Sequence, residues 1–491
     1  MPQHKRNPLH VPARRAVPVA VLGVTTALAL YATLAAPSAS AAPGVRSDFN
    51  GDGYADLAVG VPGGTADGRA KAGFVHILWG SADGLGGSAT KVSQASTGIP
   101  GTAEAGDRFG YAVQAADFDD DGFADLAVSA PGEQVTDTST THEGAAYVLW
   151  GSARGLKSGL TVAKGQEEQQ LGRLLTAGDY DGDGDQDLVL GVDGEEGDST
   201  LLRPGPLTTA APVELVEGYD FGDARALTSA DLDGDGTDDL AVTYQGMESS
   251  GTRVRTLASG TWKTLWASSD FGTALAAGDF DGDGRADLAI GQVHSDPEAD
   301  GTYCEDVLGG AIAVVYGAPD STLGGRRTCT TQSSPGVGGT AESEDNFGAA
   351  LAVADLDGGE RDGLLAGASH EAVGSAARAG AYWELQADAD GVLTGPSFTQ
   401  NSSGVPGTAE AGDLFGAAVT SASYDGVRYG DEVIGAPGET VSNSGSAAGS
   451  SGGVWYRPSA GDAPRLAAVS LTPAKLGVSG AAVGYGGVLG R

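Results

Sequence analysis

The chain has 491 residues, with 28 Lys+Arg against 65 Asp+Glu, a formal charge of −37 and 81 glycines. Such an acid excess excludes nucleic acid as a partner, because phosphate recognition needs a basic footprint, and an anionic membrane surface would repel it. Glycine without a strict three-residue period excludes collagen, and a hydrophobic content of 40% excludes wholesale disorder.

The N-terminus reads as an export signal. Lys5, Arg6, Arg14 and Arg15 form a positive start, an apolar stretch runs from Ala16 to Ala36, and Ala39-Ser40-Ala41 is a small-x-small cleavage site. Residues 1–41 are therefore expected to be a signal peptide cleaved before Ala42, in preference to a membrane anchor, for which about 20 apolar residues would suffice. Residues 42–491 are expected to be secreted and extracellular, with no membrane insertion once the signal is removed. The Ala/Gly-rich, Lys-poor usage suggests a bacterium with a GC-rich genome.

An internal repeat organises the rest. The pattern D-x-[DN]-x-D-G-x-x-D-L occurs at 48–57, 117–126, 179–188, 231–240 and 279–288. Two degraded copies follow, near 355–364 and 423–432. The first of these keeps Asp355 and Asp357 but has Gly359 and Gly363 at later acid positions; the second keeps only Asp425 and Asp431.

The surroundings of the copies also repeat. Upstream is an apolar-Gly pair and a short apolar run, as at Phe109-Gly110, Leu171-Gly172, Phe221-Gly222, Phe271-Gly272, Phe347-Gly348 and Phe415-Gly416. Downstream is a second apolar run that often ends in a turn, such as Ala130-Pro131-Gly132 or Ala436-Pro437-Gly438. A third run ends in Gly at Gly80, Gly151 and Gly317. Short apolar runs bounded by Gly, Pro, Asn and Asp are strands. Each unit is then strand, acidic loop, strand, turn, strand and a weaker outer strand. Seven such units predict an all-β, seven-bladed β-propeller, with a linear solenoid as the alternative. The first unit lacks its upstream strand, and Leu476 to Val483 is an orphan one, so that terminal stretch is expected to join the first blade and seal the ring.

The acidic loops carry the chemistry. Positions 1, 3, 5 and 9 are Asp48, Asn50, Asp52 and Asp56 in the first loop, and Asp117, Asp119, Asp121 and Asp125 in the second. They are Asp179, Asp181, Asp183 and Asp187 in the third, Asp231, Asp233, Asp235 and Asp239 in the fourth, and Asp279, Asp281, Asp283 and Asp287 in the fifth. Position 6 is always Gly. Alternate oxygen donors around a sharp turn suit a hard cation, and an irregular shell of six or more oxygens suits Ca²⁺ better than Mg²⁺. An EF-hand is the nearest competitor, but it needs a Glu at position 12 and flanking helices. Here position 12 is apolar, Val59, Val128 or Ile290 for instance, and the flanks read as strands. The expectation is about five Ca²⁺ sites of structural character in hairpin loops.

The order Phe-Gly, Asp-x-Asp-x-Asp-Gly-x-x-Asp-Leu, Gly-Ala-Pro resembles the FG-GAP repeat of the integrin α-subunit N-terminal β-propeller, over roughly residues 44–491. The resemblance implies a seven-bladed propeller with Ca²⁺ on one face, the opposite face carrying ligand and partner contacts. The Gly-Ala-Pro element is weak in the third to sixth repeats, and nothing after the propeller is similar to an integrin thigh region or membrane anchor, so an adhesion role does not carry over.

A second motif, Gly98 to Gly110, recurs at Gly404 to Gly416 and more loosely at Gly336 to Gly348. It reads as a shared loop shape, or as a repeated ligand-binding lip. Cys304 and Cys329 are expected to form one disulfide in an oxidising compartment. No catalytic constellation is found. His76, His142, His294 and His370 lie in no zinc-like spacing, and Gly449-Ser450-Ser451-Gly452-Gly453 sits in a Ser/Gly-rich loop rather than a nucleophile elbow. Two functions are left: a secreted Ca²⁺-stabilised binding module for a protein or cell-envelope ligand, and a glycan-binding lectin or propeller hydrolase with a site in the central channel. Trp262, Trp266 and Trp383 are either sugar platforms or core.

Overall fold

Seven antiparallel sheets follow one another along the chain in a computed structural model. It describes residues 47–135, 142–167, 169–193, 197–208, 212–219, 222–246, 250–293, 304, 308–319, 322–388, 390–427, 429–440, 452–459, 465–478 and 483–490. The export signal, Phe221, His294 and Gly449-Ser450-Ser451 lie outside the described residues.

Blade 2 shows the plan: Val113–Ala116, Asp125–Ala130, Ala145–Trp150 and Ser158–Lys164, paired in that order from the inner strand outward. Blade 3 is Leu175–Gly178, Asp187–Val192, Ser199–Arg203 and Glu214–Gly218. Blade 4 is Gly222–Ala230, Asp239–Gly246, Ser250–Ala258 and Thr261–Ser268, and blade 5 is Ala274–Gly278, Asp287–Gln292, Ala311–Gly317 and Leu323–Thr330. Blade 6 has Ala350–Ala354, Gly363–Ala368 and Ala381–Ala387, with two short outer pieces, Leu393–Thr394 and Ser397–Phe398. Blade 7 is Ala418–Ala422, Asp431–Ala436, Gly453–Arg457 and Val469–Leu471. Every acidic loop with a described inner strand before it joins a first strand to a second.

The second strands explain the continuous apolar runs. Every residue of Leu57–Val61, Asp125–Ala130 and Asp431–Ala436 is buried, because both faces of a blade are covered. Side chains alternate between faces with period two. Leu126, Val128 and Ala130 therefore enter the core shared with blade 1, and Ala127 the core shared with blade 3. Among the described residues, seven such clusters occupy the junctions 1/2, 2/3, 3/4, 4/5, 5/6, 6/7 and 7/1. The last of these closes the ring, which excludes the solenoid. Outer strands such as Glu214–Gly218 and Thr261–Ser268 are mostly exposed or half-buried, and their apolar pattern is weak for that reason.

Closure is achieved by a different strand from the one expected. Blade 1 is ordered Val488–Leu489, Leu57–Val61, Phe74–Leu78, Ala89–Val92, so the C-terminus supplies its inner strand. Val59 pairs Leu489 and Gly60 pairs Val488, and Gly490 N donates to Ala58 O at 2.7 Å. The sealing strand thus lies beyond Leu476 to Val483. Leu476 and Val478 instead pack against the core between blades 7 and 1. The reason is the aromatic-Gly pair. Tyr485-Gly486 occupies, for blade 1, the place that Phe109-Gly110 and Phe415-Gly416 hold in blades 2 and 7. Tyr485 forms a parallel bridge to Gly452, as Phe109 does to Gly73 and Phe415 to Gly380. The approach is close: a Cβ on Gly435 would sit 1.8 Å from the Gly486 carbonyl oxygen, so only glycine fits there. His76 is the partner of the closing aromatic. It is buried, with Nδ1 2.8 Å from Tyr485 Oη. Phe347–Trp383 and Phe415–Trp455 are the matching edge-on pairs of blades 6 and 7.

Cys304 and Cys329 are joined by a disulfide. Trp383 is core, 1% exposed. Trp262 is partly buried against Tyr180, and Trp266 is partly buried beneath the Arg327 guanidinium.

Candidate metal centres in the blade loops

Six of the seven loops are anchored at two points before any ligand geometry is considered. Position 2 is a core side chain: Phe49, Phe118, Tyr180, Leu232, Phe280 and Tyr424 are all at most 2% exposed. Position 9 is a buried acid whose Oδ2 accepts from the amide of position 2. The distances are 2.9 Å for Phe49 to Asp56, 2.9 Å for Phe118 to Asp125 and 3.1 Å for Tyr180 to Asp187. They are 3.1 Å for Leu232 to Asp239, 2.9 Å for Phe280 to Asp287 and 3.0 Å for Tyr424 to Asp431.

The other oxygen of position 9 reaches the end of the third strand. Asp56 Oδ1 accepts from Gly80 N, Asp125 Oδ1 from Gly151 N, Asp187 Oδ1 from Gly205 N, Asp287 Oδ1 from Gly317 N and Asp431 Oδ1 from Ser459 N, at 2.7–3.0 Å. Sequence reading missed this clamp, because each partner lies 18 to 30 residues downstream. It needs no cation: Asp431 keeps it in a loop that has only two of the four acids.

Position 1 organises the turn. Asp48 Oδ1 accepts from the amides of Gly51 and Asp52, and its Oδ2 from Gly53; Asp231 and Asp279 repeat the pattern. The turn needs a positive φ at position 6, from +84° at Gly284 to +95° at Gly184, which glycine adopts without steric cost. Asn50, Asp181, Asp233 and Asp281 at position 3 accept from the amide of position 5.

In four loops, carboxylate oxygens of positions 1, 3 and 9 lie within 4.8 Å of one another: Asp117, Asp119 and Asp125; Asp179, Asp181 and Asp187; Asp231, Asp233 and Asp239; Asp279, Asp281 and Asp287. Oxygens bound to one Ca²⁺ at about 2.3–2.6 Å are separated by up to about 5 Å, so the spacing fits. One oxygen of these sets, Asp119 Oδ1, is buried without a hydrogen-bond partner. The first loop has the same hydrogen bonds, with the Asn50 amide oxygen at position 3. The acids at position 5 do not join the converging sets. Asp52, Asp121, Asp183, Asp235 and Asp283 each use Oδ1 to accept from the amide of position 7. In the fifth loop Arg326 already offers a counter-charge, 2.6 Å from Asp281 Oδ2.

Burial dominates the electrostatics. It pushes Asp56, Asp125 and Asp239 up to about 7, Asp187 to about 6 and Asp287 to about 8, and the neighbouring acids of each loop add to the rise. A bound cation would reverse this, favouring the charged forms. The degraded loops lack the set: in blade 6 position 9 is Gly363, and in blade 7 only Asp425 and Asp431 are left.

A depression of about 400 Å³ beside the first loop is lined by Asn50, Asp52, Trp79, Thr90, Arg154 and Lys157, among others. Its indole is not a free platform. Trp79 Nε1 donates to Thr90 Oγ1 at 2.9 Å, and Gly155 packs against the ring edge.

Comparison with known proteins agrees with this architecture. The FG-GAP repeat matches residues 41–78, 109–149 and 271–295, and the FG-GAP-like repeat matches residues 179–242. The chain carries FG-GAP repeats. These stretches contain all five intact acidic loops and neither degraded one. The FG-GAP propeller is 38% identical over 148 residues to phosphatidylinositol-glycan-specific phospholipase D of Bos taurus, covering 30% of this chain and 17% of that protein. It is 30% identical over 228 residues to integrin alpha-PS2 of Drosophila melanogaster, covering 40% of this chain and 14% of that one. The chain thus spans about a sixth of the length of these curated relatives. Among solved structures, the exotype rhamnogalacturonan lyase YesX matches with TM-score 0.36 and 15% identity, over 77% of this chain and 69% of that one.

Proposed function

We propose that this FG-GAP propeller is a calcium-stabilised binding module that acts outside the cytoplasm. The observation that carries the reading is the convergence of three carboxylates in each of four loops, all in the same first-to-second-strand connection and so all on one face. The loops pin the blades together, which leaves the opposite face, built from the second-to-third and blade-to-blade connections, for a ligand. Relatedness to integrin alpha-PS2 supports a protein or cell-envelope ligand on that face. The expected export signal over residues 1–41 and the disulfide support an oxidising, extracellular location.

The residues present would hold Ca²⁺ through positions 1, 3 and 9, and the ion would supply charge neutralisation to acids that burial otherwise penalises. Its role here is structural. The test is binding of the full chain to immobilised envelope fractions, a glycan array and a hydrolase panel, each with Ca²⁺ and with EDTA. Calcium-dependent retention on envelope protein supports the reading. Turnover, or binding confined to one glycan, would replace it with the propeller hydrolase or the lectin.

A further inference from the structure

The second repeated motif builds a different site, on the face opposite the acidic loops. It recurs at the junctions of blades 1/2, 5/6 and 6/7. At each, a glutamine leaves the outer edge of one blade, an aspartate precedes the first strand of the next, and a glutamate follows that blade's second strand. The three sets are Gln94, Asp107 and Glu133; Gln332, Asp345 and Glu371; and Gln400, Asp413 and Glu439.

Their geometry is the same three times. The glutamine Nε2 donates to the glutamate Oε2 at 2.6 Å in every set. The aspartate Oδ2 accepts from the amide three residues before it, at 2.5, 2.7 and 2.6 Å. The main-chain oxygen of each aspartate accepts from Gly132, His370 or Gly438, the residue just before the glutamate, which fixes the two acids side by side. At the 5/6 junction Asp345 is within hydrogen-bonding reach of both Gln332 and Glu371. The three aspartates and three glutamines are all at most 4% exposed.

The remaining atom is the informative one. Oε1 of Gln94, of Gln332 and of Gln400 is buried without a hydrogen-bond partner. At the 5/6 junction its neighbours are shown by Gly309: a Cβ there would lie 3.1 Å from Gln332 Oε1, 3.2 Å from Asp345 Oδ2 and 2.5 Å from the Glu342 main-chain oxygen, so the amide oxygen, the carboxylate and the carbonyl gather around that glycine. Any side chain at Gly309 would fill this space. Reversing the glutamine amides would give up the 2.6 Å bond from Nε2 to the glutamate in each set and put two acceptor oxygens against each other there. A proton shared between aspartate and glutamate satisfies the acids but leaves the amide oxygen orphaned. A cation satisfies all of them. None of the six acids forms an ion pair with a described Lys or Arg.

We propose that the Gln–Asp–Glu sets at blade junctions 1/2, 5/6 and 6/7 are three divalent-cation sites, separate from the acidic hairpin loops. Two carboxylates and one amide oxygen per site match a hard cation of charge +2, the main chain and water completing the shell. Burial raises Glu133 and Glu371 to about 7 and raises Glu439 as well, and a bound cation would lower all three.

Terbium is the probe, because it replaces calcium and is excited through nearby indoles. Trp383 and Trp455 pack beside the Gln332 and Gln400 amides, around Gly339 and Gly407. Three full-length chains are compared: the parent, Asp119→Asn/Asp181→Asn/Asp233→Asn/Asp281→Asn, and Glu133→Gln/Glu371→Gln/Glu439→Gln. The parent and the loop variant should both show tryptophan-sensitised emission, and the glutamate variant should lose the part of it that the loop variant keeps, together with three equivalents of bound terbium. If the triple variant does not fold, each single Glu→Gln variant should lose one equivalent. Emission and stoichiometry unchanged in the glutamate variants, or no sensitised emission from the parent, would overturn the proposal. The loop variant separates that outcome from failure of the loop sites.

Discussion

The main-chain amide of Ala124 donates to the main-chain oxygen of Asp48 at 3.1 Å, across the boundary between blades 1 and 2. Position 8 of one acidic loop is thereby tied to position 1 of the preceding blade's loop. The link recurs from Ala55 to Ser423, Asp238 to Asp179, Asp362 to Asp279 and Gly430 to Asp355, at 2.8–3.1 Å. Asp238 and Asp362 add a side-chain bond, Oδ2 accepting from the amides of Asp179 and Asp279. Position 1 is also a converging carboxylate in the intact loops, so order that a cation imposed on one loop would be passed to the next blade through the main chain.

The loop sites can be removed one at a time. Asp119→Asn keeps shape and removes one charge from a set whose Oδ1 has no other partner. Calorimetric titration should find one fewer calcium bound. Stability in EDTA should not fall below the parent's, because the substitution takes one like charge away from Asp117 and Asp121 when no cation offsets them.

Asp431 predicts the opposite pattern. Its carboxylate takes the amides of Tyr424 and Ser459 and the hydroxyl of Tyr456, in a loop without the acid set. Asp431→Ala leaves three buried donors unpaired, each costing about 1–3 kcal/mol before relaxation. Denaturant unfolding should show a loss above about 2 kcal/mol, equal in calcium and in EDTA. A loss seen only with calcium would assign Asp431 to a metal.

The same residue sets a pH dependence. Burial raises Asp431 to about 6, against 3.8 for the free group. As pH rises from about 4 to about 6, the unfolded chain releases this proton first while the folded chain still holds it, so stability falls across that window. Asp431→Asn carries no titrating carboxyl, so its unfolding free energy in EDTA should fall less steeply over that range. Equal slopes would remove Asp431 from the account.

Ring closure rests on Tyr485 and Val488–Leu489. Tyr485→Ala should cost about 3–5 kcal/mol, the range for a buried large aromatic, and leaves His76 without its hydroxyl partner. A chain ending before Tyr485 should melt far below the parent. Melting at the parent temperature would contradict closure by this strand.

Much of this was legible in the sequence. Positions 1, 3 and 9 were readable because a tight loop brings alternate residues together, and the second strands because burial on both faces makes them uniformly apolar. The closing strand was misplaced because Tyr485 stands where other blades carry Phe or Leu, and because the N-terminal loop and its inner strand are separated by the length of the chain. The clamp from Asp125 to Gly151 was invisible because backbone amides leave no residue signature. The junction sites draw Gln94, Asp107 and Glu133 from three separate connections. Their trace was the constant 39-residue spacing from glutamine to glutamate in all three sets.

On the proposed reading the hairpin loops hold calcium, and the bound calcium stabilises the ring. The direct measurement is the melting temperature of the parent and of Asp119→Asn/Asp181→Asn/Asp233→Asn/Asp281→Asn across a calcium titration. The parent should rise with calcium, by about 2.7 kcal/mol of added stability per site at a hundredfold excess over Kd, and the variant should lose most of that rise. A parent that melts at the same temperature in EDTA and in saturating calcium would contradict the account.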